Sequence, residues 1–395
     1  MSTLKVDNIR HNSATSDAIT MASDGTCTAK ITSIGGGQLS HRNIIINGAH
    51  AISQRGTAAV TVTTSAGYRS VDRYKSDIDG GGGGDWSHAQ STDVPAGQGF
   101  RNSSKITTVT QASQPTSTSV RNQFYTQFEK QDVYHLEWGT SAAKTCTLSF
   151  WVKSSVAGIY PVWFQHYSSG GNKYYYSNYT INATNTWEKK TVTVTGSTSG
   201  GNVSLSNSVG FRIEWGIGYG SDCETGTLNE WTTSSTIRAA SGSVYLPENS
   251  GATWYLTGCQ FEVGDTATSF EHRSYGEELQ RCQRYFQFVE QALAIAQNST
   301  NTGLVTGLFT CEMRAAPTIG TMNISTKATN VGLNLQGDGT VNVTQSSGNQ
   351  GTSYSSQRSM VLYDISGFNG MTSGRSYFVG VPANNGVVFT ADAEL

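Results

Sequence analysis

Charge is what this chain has least of. Only 14% of its 395 residues are Asp, Glu, Lys or Arg, against roughly 25% in ordinary soluble domains. The formal balance is −2, with no basic run and no Arg/Lys-rich helix to draw in phosphate backbones, so nucleic acid is not an expected partner. No stretch approaches the ~18 apolar residues of a membrane-spanning helix. The opening Met1-Ser2-Thr3-Leu4-Lys5 lacks the charged and apolar regions of a secretory signal. The expectation is synthesis in a cytosol and no membrane insertion.

Motifs of catalysis and of metal binding are also lacking. The cysteines, Cys27, Cys146, Cys223, Cys259, Cys282 and Cys311, are scattered without a C-x-x-C pair. They read as reduced, buried thiols, with Cys223–Cys259 the one bridge left open. None of the seven histidines stands in H-x-x-x-H or H-E-x-x-H spacing, which argues against a zinc hydrolase. There is no G-x-S-x-G elbow, and Gly218-Tyr219-Gly220-Ser221-Asp222 has no P-loop lysine, so it reads as a turn. A glycan-cleaving site needs two carboxylates. Asp77 with Asp79, Glu129 with Asp132 and Glu137, and Asp222 with Glu224 are the candidates. Each lies beside turns, where acids are solvated, and no enzyme is expected.

What remains is a β-protein. Apolar residues make up 36% and aromatic residues 10%, too many for a disordered chain. Glycine and Asn suit turns, while Thr, Val and Tyr suit strands. Residues 1–38 read as a separate segment of two short strands with a hairpin at Asp24-Gly25, ended by Gly35-Gly36-Gly37. Two strands alone are marginal in water, so this segment is expected to be held by copies of itself or by a partner.

Residues 39–274 carry many short strand patterns, among them 42–46, 60–63, 145–152, 190–194 and 209–215. They are punctuated by Gly80 to Gly84 and other turn clusters, which points to a β-sandwich of the jelly-roll type. Ser274-Tyr275-Gly276-Glu277 is a capping box. Leu279, Cys282, Tyr285 and Phe286 form one apolar stripe, so a linking helix is expected at 275–287. Arg273 is positioned to pair with Glu277. Residues 288–395 return to strands, with a hairpin signal at Asp338-Gly339, and read as a second, C-terminal β-sandwich. The expected class is all-β: a short N-terminal β anchor, a jelly roll, one short helix and a terminal sandwich.

Aromatic side chains are the better functional signal, because sugars stack their apolar C–H faces on flat rings. Trp86 follows the glycine run. Tyr174, Tyr175 and Tyr176 are consecutive in a strand-like stretch and must face both ways. Trp231 lies among Thr and Ser. These five are the candidate glycan contacts, with core or interface packing as the alternative. Trp138, Trp151, Trp163, Trp187, Trp215 and Trp254 sit in strand-like contexts and are expected in the core.

Several blocks carry a resemblance. Asn43-Ile44-Ile45-Ile46-Asn47-Gly48-Ala49, Gln54-Arg55, Val71-Asp72-Arg73-Tyr74, Phe150-Trp151-Val152-Lys153-Ser154-Ser155 and Thr186-Trp187 recur in this order. So do Thr257-Gly258-Cys259-Gln260-Phe261-Glu262-Val263-Gly264 and Phe270-Glu271-His272-Arg273-Ser274-Tyr275-Gly276-Glu277-Glu278-Leu279. Met313-Arg314-Ala315-Ala316-Pro317-Thr318 and the terminal Ala391 to Leu395 complete the set. Together they resemble bacteriophage tail-fibre and receptor-binding virion proteins with a carbohydrate-binding-module-like jelly roll. The resemblance covers residues 39–395. It implies a virion component, on the tail or another exterior appendage, that attaches to the host surface by binding polysaccharide or lipopolysaccharide. The Gly80–Gly84 run and the Tyr174–Tyr176 stretch depart from the family pattern and are candidates for target-specific contact. A homotrimer is expected, anchored through residues 1–38 to a tail, adaptor or nozzle protein. Jelly rolls of this kind often hold a structural calcium; no residue is assigned to one. The rival readings are a purely structural collar, capsid-fibre or decoration protein, and a glycan depolymerase.

Overall fold

The computed structural model describes residues 6–10, 12, 13, 15, 17–24, 27–29, 41–63, 66–81, 83–224, 228–289, 292–296, 302–321, 332–336, 340–344, 353–366, 376–380 and 389–395. Three short strands open the chain: β1 (Asn8–Ile9), β2 (Ile19–Met21) and β3 (Cys27–Ala29) form one antiparallel sheet. The expected hairpin is there as β2 and β3, and β1 is a third strand that alternation did not separate.

The central body is a two-sheet sandwich. Its strands are β4 (Val60–Val62), β5 (Gly67–Tyr68), β6 (Tyr74–Asp79), β7 (Asp85–Ser91), β8 (Ser103–Thr110), β9 (Arg121–Glu129), β10 (Cys146–Ser154), β11 (Gly158–His166), β12 (Lys173–Ile181), β13 (Glu188–Val194), β14 (Val209–Tyr219), β15 (Trp231–Thr232) and β16 (Thr253–Val263). A short helix, α1 (Lys130–Val133), follows β9. One sheet runs β13-β10-β16-β8-β7-β4 and the other β15-β12-β11-β14-β9-β6-β5, with all pairs antiparallel. Non-sequential neighbours such as β10 beside β16 are the crossovers of a jelly roll.

The period of two decides what lies between the sheets. On β14, Phe211, Ile213, Trp215 and Ile217 join the core, as do Leu148, Phe150 and Val152 of β10 and Trp254, Leu256 and Phe261 of β16. The rings interlock edge to face: Trp138 on Phe211 at 4.9 Å, Phe150 on Tyr179 at 5.0 Å. Such pairs add about 0.5–1.5 kcal/mol beyond their buried area.

Inside this core runs a polar chain. Ser104 Oγ lies 2.7 Å from His50 Nδ1 and 3.1 Å from His88 Nε2, while His88 Nδ1 lies 3.2 Å from Ser76 Oγ. Cys259 Sγ is 3.6 Å from His50 Nε2. Burial holds His88 down to about 3, with Arg69 adding to it, and pushes His50 well below its ordinary range.

The helix α2 (Tyr275–Gln283) is capped as expected, Ser274 Oγ accepting from Glu277 N. It stops four residues short of the expected end, because Tyr285 and Phe286 turn into strand β17 (Phe286–Val289). The remaining strands are β18 (Ala292–Ala296), β19 (Thr302–Leu308), β20 (Thr318–Thr321), β21 (Gly332–Gln336), β22 (Thr340–Thr344), β23 (Ser353–Ser355), β24 (Ser359–Ser366), β25 (Ser376–Gly380) and β26 (Phe389–Asp392). They form a three-stranded sheet β17-β26-β20 and a larger C-terminal sheet β22-β21-β25-β18-β19-β24-β23. The Asp338-Gly339 turn lies outside the described residues.

The structure corrects three expectations. Residues 42–46 are not a strand: Asn43 Oδ1 accepts from Ile45 N and Phe261 N, and its Nδ2 donates to Cys259 O, so a side chain takes the place of a ladder. Arg273 pairs with Glu271 and Glu278 instead of Glu277, which Arg281 takes at 3.0 Å. Cys223 and Cys259 are both free thiols, in different hydrophobic clusters. In the glycine run Gly80 and Gly81 are exposed, while a Cβ on Gly80 would meet Ser119 O at 2.3 Å and one on Gly84 would meet Thr110 O at 2.6 Å. Gly83 O accepts from Tyr245 Oη at 2.8 Å.

Many of the resemblance blocks meet at one junction. Arg73 is buried; it pairs with Glu394, donates to Gln127 O at 2.8 Å and lies 3.4 Å over the Tyr285 ring. Arg55 lies 3.6 Å over Phe286 and reaches Asp392 at 3.1 Å and Glu394 at 3.3 Å. Gln54 donates to Asp72 and to Phe286 O. Arg284 grips Glu129 with two bonds of 2.9 Å, and Tyr285 Oη adds a third at 2.7 Å. Arg314 reaches Ala393 O at 2.7 Å and Asn207 O at 2.7 Å. Charged and planar groups from distant blocks thus clamp α2, β17 and β26 onto the sandwich.

Candidate functional site

The residues between the core positions of the seven-stranded sheet β15-β12-β11-β14-β9-β6-β5 point away from the partner sheet, and most are covered: Tyr125, Trp163, Gln165, Tyr176 and Glu214 are at most 6% exposed. Strand register lines up one row across six strands: Tyr68 beside Lys75, Lys75 beside Tyr125, Tyr125 beside Glu214, Glu214 beside Trp163, Trp163 beside Tyr176. A second row places Gln127 beside Arg212, Arg212 beside Gln165, and Gln165 beside Tyr174. Neighbours in a row are about 4.8 Å apart. Rings therefore alternate with amides and charges on the scale of one sugar ring.

Charge is arranged around Glu214, which is fully buried. It pairs with Arg212, lies 3.8 Å from Arg238, and accepts from Tyr219 Oη at 2.6 Å. Tyr219 Oη in turn accepts from Trp163 Nε1 at 3.0 Å. The Arg212 guanidinium lies 3.4 Å over the Tyr125 ring and donates to Gln123 at 2.5 Å. Its Nε, and Oε1 of Gln127 next to it, are buried without a hydrogen-bond partner. Both atoms are sealed from solvent, and the Tyr167 hydroxyl lies against the same Gln127 and Arg212 side chains.

Towards β6 the face is ionic but unpaired. Lys75 and Asp77 form no ion pair among the described residues. Burial, then Arg212 beside it, lowers the Lys75 ammonium; burial, then Glu214, raises the Asp77 carboxyl. The end of the face is closed by residues 394–395: Leu395 O accepts from Tyr68 Oη at 3.2 Å and from Lys75 Nζ at 3.4 Å.

The candidate contacts fare unequally. Trp86 is a core residue, fully buried, its Nε1 donating to Asn122 at 3.2 Å; β7 pairs with β8 right after the glycine run and turns this ring inward. The three tyrosines alternate. Tyr175 points into the core at 3% exposure. Tyr174 and Tyr176 point outward and stack at 6.3 Å. Tyr176 is covered, however, since Leu228 and Ile237 pack around it and its hydroxyl donates to Ser234 O at 2.6 Å. Trp231 is half-buried, lies 5.1 Å from Trp138 and donates to Thr195 O at 2.6 Å, so it seals the sandwich edge. Only Tyr174 of the five is both on this face and accessible.

Trp163, expected in the core, is fully buried in a cluster with Tyr176, Tyr219, Cys223 and Ala239; Tyr125, Gln165, Arg212 and Glu214 were missed. Their signal is the other half of the period of two: in Asn122-Gln123-Phe124-Tyr125-Thr126-Gln127-Phe128 every second residue is core, and the rest are amides and a tyrosine. Trp151 and Trp187, expected in the core, are half-exposed on the outer side of the opposite sheet. Among the described residues, no group of three or more His, Cys, Asp or Glu side chains is placed to hold a metal. No helix among them is long and apolar enough to cross a membrane.

No family model matches the chain, and no curated protein does. Among solved structures the chain is similar to a putative sugar binding protein from Bacteroides thetaiotaomicron, at 11% identity over 56% of this chain and 100% of that one, with a TM-score of 0.31. It is similar to the enzymatically active domain of tailspike protein 4 of bacteriophage CBA120, at 10% identity over 56% of this chain and 21% of that one, with a TM-score of 0.29. A tandem CBM22 domain from Paenibacillus barcinonensis Xyn10C is a third, at 9% identity over 92% of this chain and 98% of that one, with a TM-score of 0.29.

Proposed function

We propose that this protein binds polysaccharide, without cleaving it, through the outer face of its seven-stranded sheet. We place it on an exterior appendage of a bacteriophage virion, as an attachment protein for host surface glycan. The observation that carries the glycan reading is the partly exposed rim of this face, with Tyr68 at one end of the rows of rings, amides and charges and Tyr174 at the other. Stacking surfaces with a few converging polar groups are what carbohydrate sites need. The virion placement is supported by the ordered resemblance blocks, which build the junction between the sandwich and its C-terminal strands. On this reading residues 394–395 wall off the Tyr68 end, and sugar enters from the Tyr174 side.

The test is a microarray of bacterial surface polysaccharides, probed with the full chain and with Tyr174→Ala combined with Gln165→Ala. The variant should lose at least about tenfold in affinity, equivalent to ~1.4 kcal/mol, with unchanged melting. Absence of binding to every polysaccharide, together with no adsorption to cells, would overturn the reading in favour of a purely structural virion role. Release of new reducing ends from a bound polysaccharide would overturn the non-catalytic part.

A further inference from the structure

The opposite sheet presents a second set of rings. On its outer side Lys153 stands beside Tyr255, and Tyr255 beside Lys105; Trp151 stands beside Lys189. Trp187 enters β13 from the rim. Its ring lies 6.1 Å from Tyr255, and its Nε1 donates to Asp93 at 3.0 Å. Lys153 pairs with the same Asp93 and sits 4.4 Å over Tyr255. Lys105 lies 5.6 Å from that ring.

The charges here do not balance. Three lysines stand around these rings, and Asp93 is the one carboxylate that engages them, already held by Lys153 and Trp187. Lys105 and Lys189 form no ion pair among the described residues, and Lys189 is exposed. The neighbouring half of the sheet is covered by the segment after β16, where Gln260 bonds to Thr268 and Ser269. The open part is therefore a bounded patch of half-exposed indole rings with surplus positive charge. The Lys105 ammonium lies 5.6 Å from the Tyr255 ring, and Lys189 is the cross-strand partner of Trp151.

We propose that this patch is a second saccharide site, selective for uronate-containing polysaccharide. A uronate carries its carboxylate directly on the pyranose ring. A ring stacked on Trp151 or Trp187 therefore places its charge within reach of Lys189 or Lys105. A neutral sugar would stack but leave both ammonium groups unanswered. The site does not depend on the seven-stranded sheet, so the two faces are separable by mutation.

Affinity electrophoresis of the full chain through gels containing polygalacturonate, with dextran as the neutral control, tests this directly. Polygalacturonate should retard the protein and dextran should not. Lys105→Glu with Lys189→Glu, both at accessible positions, should weaken the retardation at least tenfold. Tyr174→Ala with Gln165→Ala should leave it unchanged, which separates this site from the first. Retardation that is absent, or equal in the lysine variant, overturns the proposal. So does equal retardation by double-stranded DNA, which would reduce the patch to a general polyanion surface.

Discussion

At the scale of single residues, the core is held together by groups that dislike protons. His50, His88 and His166 are buried or nearly so, and burial keeps them neutral: His88 at about 3, His166 at about 4, His50 well below its usual range. In the unfolded chain each titrates near ~6.5. Between those values the unfolded state binds more protons, so stability is complete above about pH 6.5 and is lost as the pH falls. His88 alone accounts for about 2–3 kcal/mol between roughly pH 6.5 and 4.5, at ~1.4 kcal/mol per unit. Its ring also bridges Ser76 and Ser104. His88→Gln should therefore melt lower than the parent at pH 7, yet show a flatter loss below pH 6.5 in thermal denaturation across pH. A parent melting temperature that does not fall on acidification would show that these rings are not held neutral.

At the scale of elements, the junction between α2, β17, β26 and the sandwich is the point of greatest risk. Arg73 sits there in the left-handed region at φ 72°, between Glu394 and the Tyr285 ring. Removing one partner of a buried pair strands the other, at about 3–5 kcal/mol. Arg73→Met should cost that much in chemical denaturation and expose the C-terminal strands to limited proteolysis, whereas Glu312→Gln, in an exposed pair with Arg358, should cost under ~1 kcal/mol. Equal small losses from both would mean that the junction does not anchor these strands. What the sequence made legible follows the same physics. The strands of the sandwich and the cap at Ser274 were readable because alternation and capping are local. Asn43 was misread as part of a strand because its ladder is built by a side chain reaching Cys259 and Phe261, more than two hundred residues on. Trp86 was misread because nothing near a glycine run says which way the next ring faces. The two outward rows were invisible for a related reason: Tyr125 and Gln127 look like polar filler until β14 and β11 are set beside them.

At the scale of the whole molecule, the N-terminal sheet is thinly supported among the described residues. Its strands are two, three and three residues long, and Ile9 and Met21 are 47% and 39% exposed. Strands this short with apolar residues facing water are marginal by themselves, so cover over Ile9 and Met21 from a second copy or another protein is the expectation to test. Three copies joined through this segment would present three outer faces at once. Linking sites in this way raises avidity by about 10²–10⁴ without changing any contact. Deleting residues 1–38 should therefore convert a trimer to a monomer in analytical ultracentrifugation. Retention on immobilised polysaccharide should fall by that range, while affinity for a short oligosaccharide in solution stays the same. If the full chain sediments as a monomer, the segment is a docking peptide for a different virion protein and avidity must come from that partner's symmetry. If the deletion weakens the short oligosaccharide as well, residues 1–38 belong to the binding site itself.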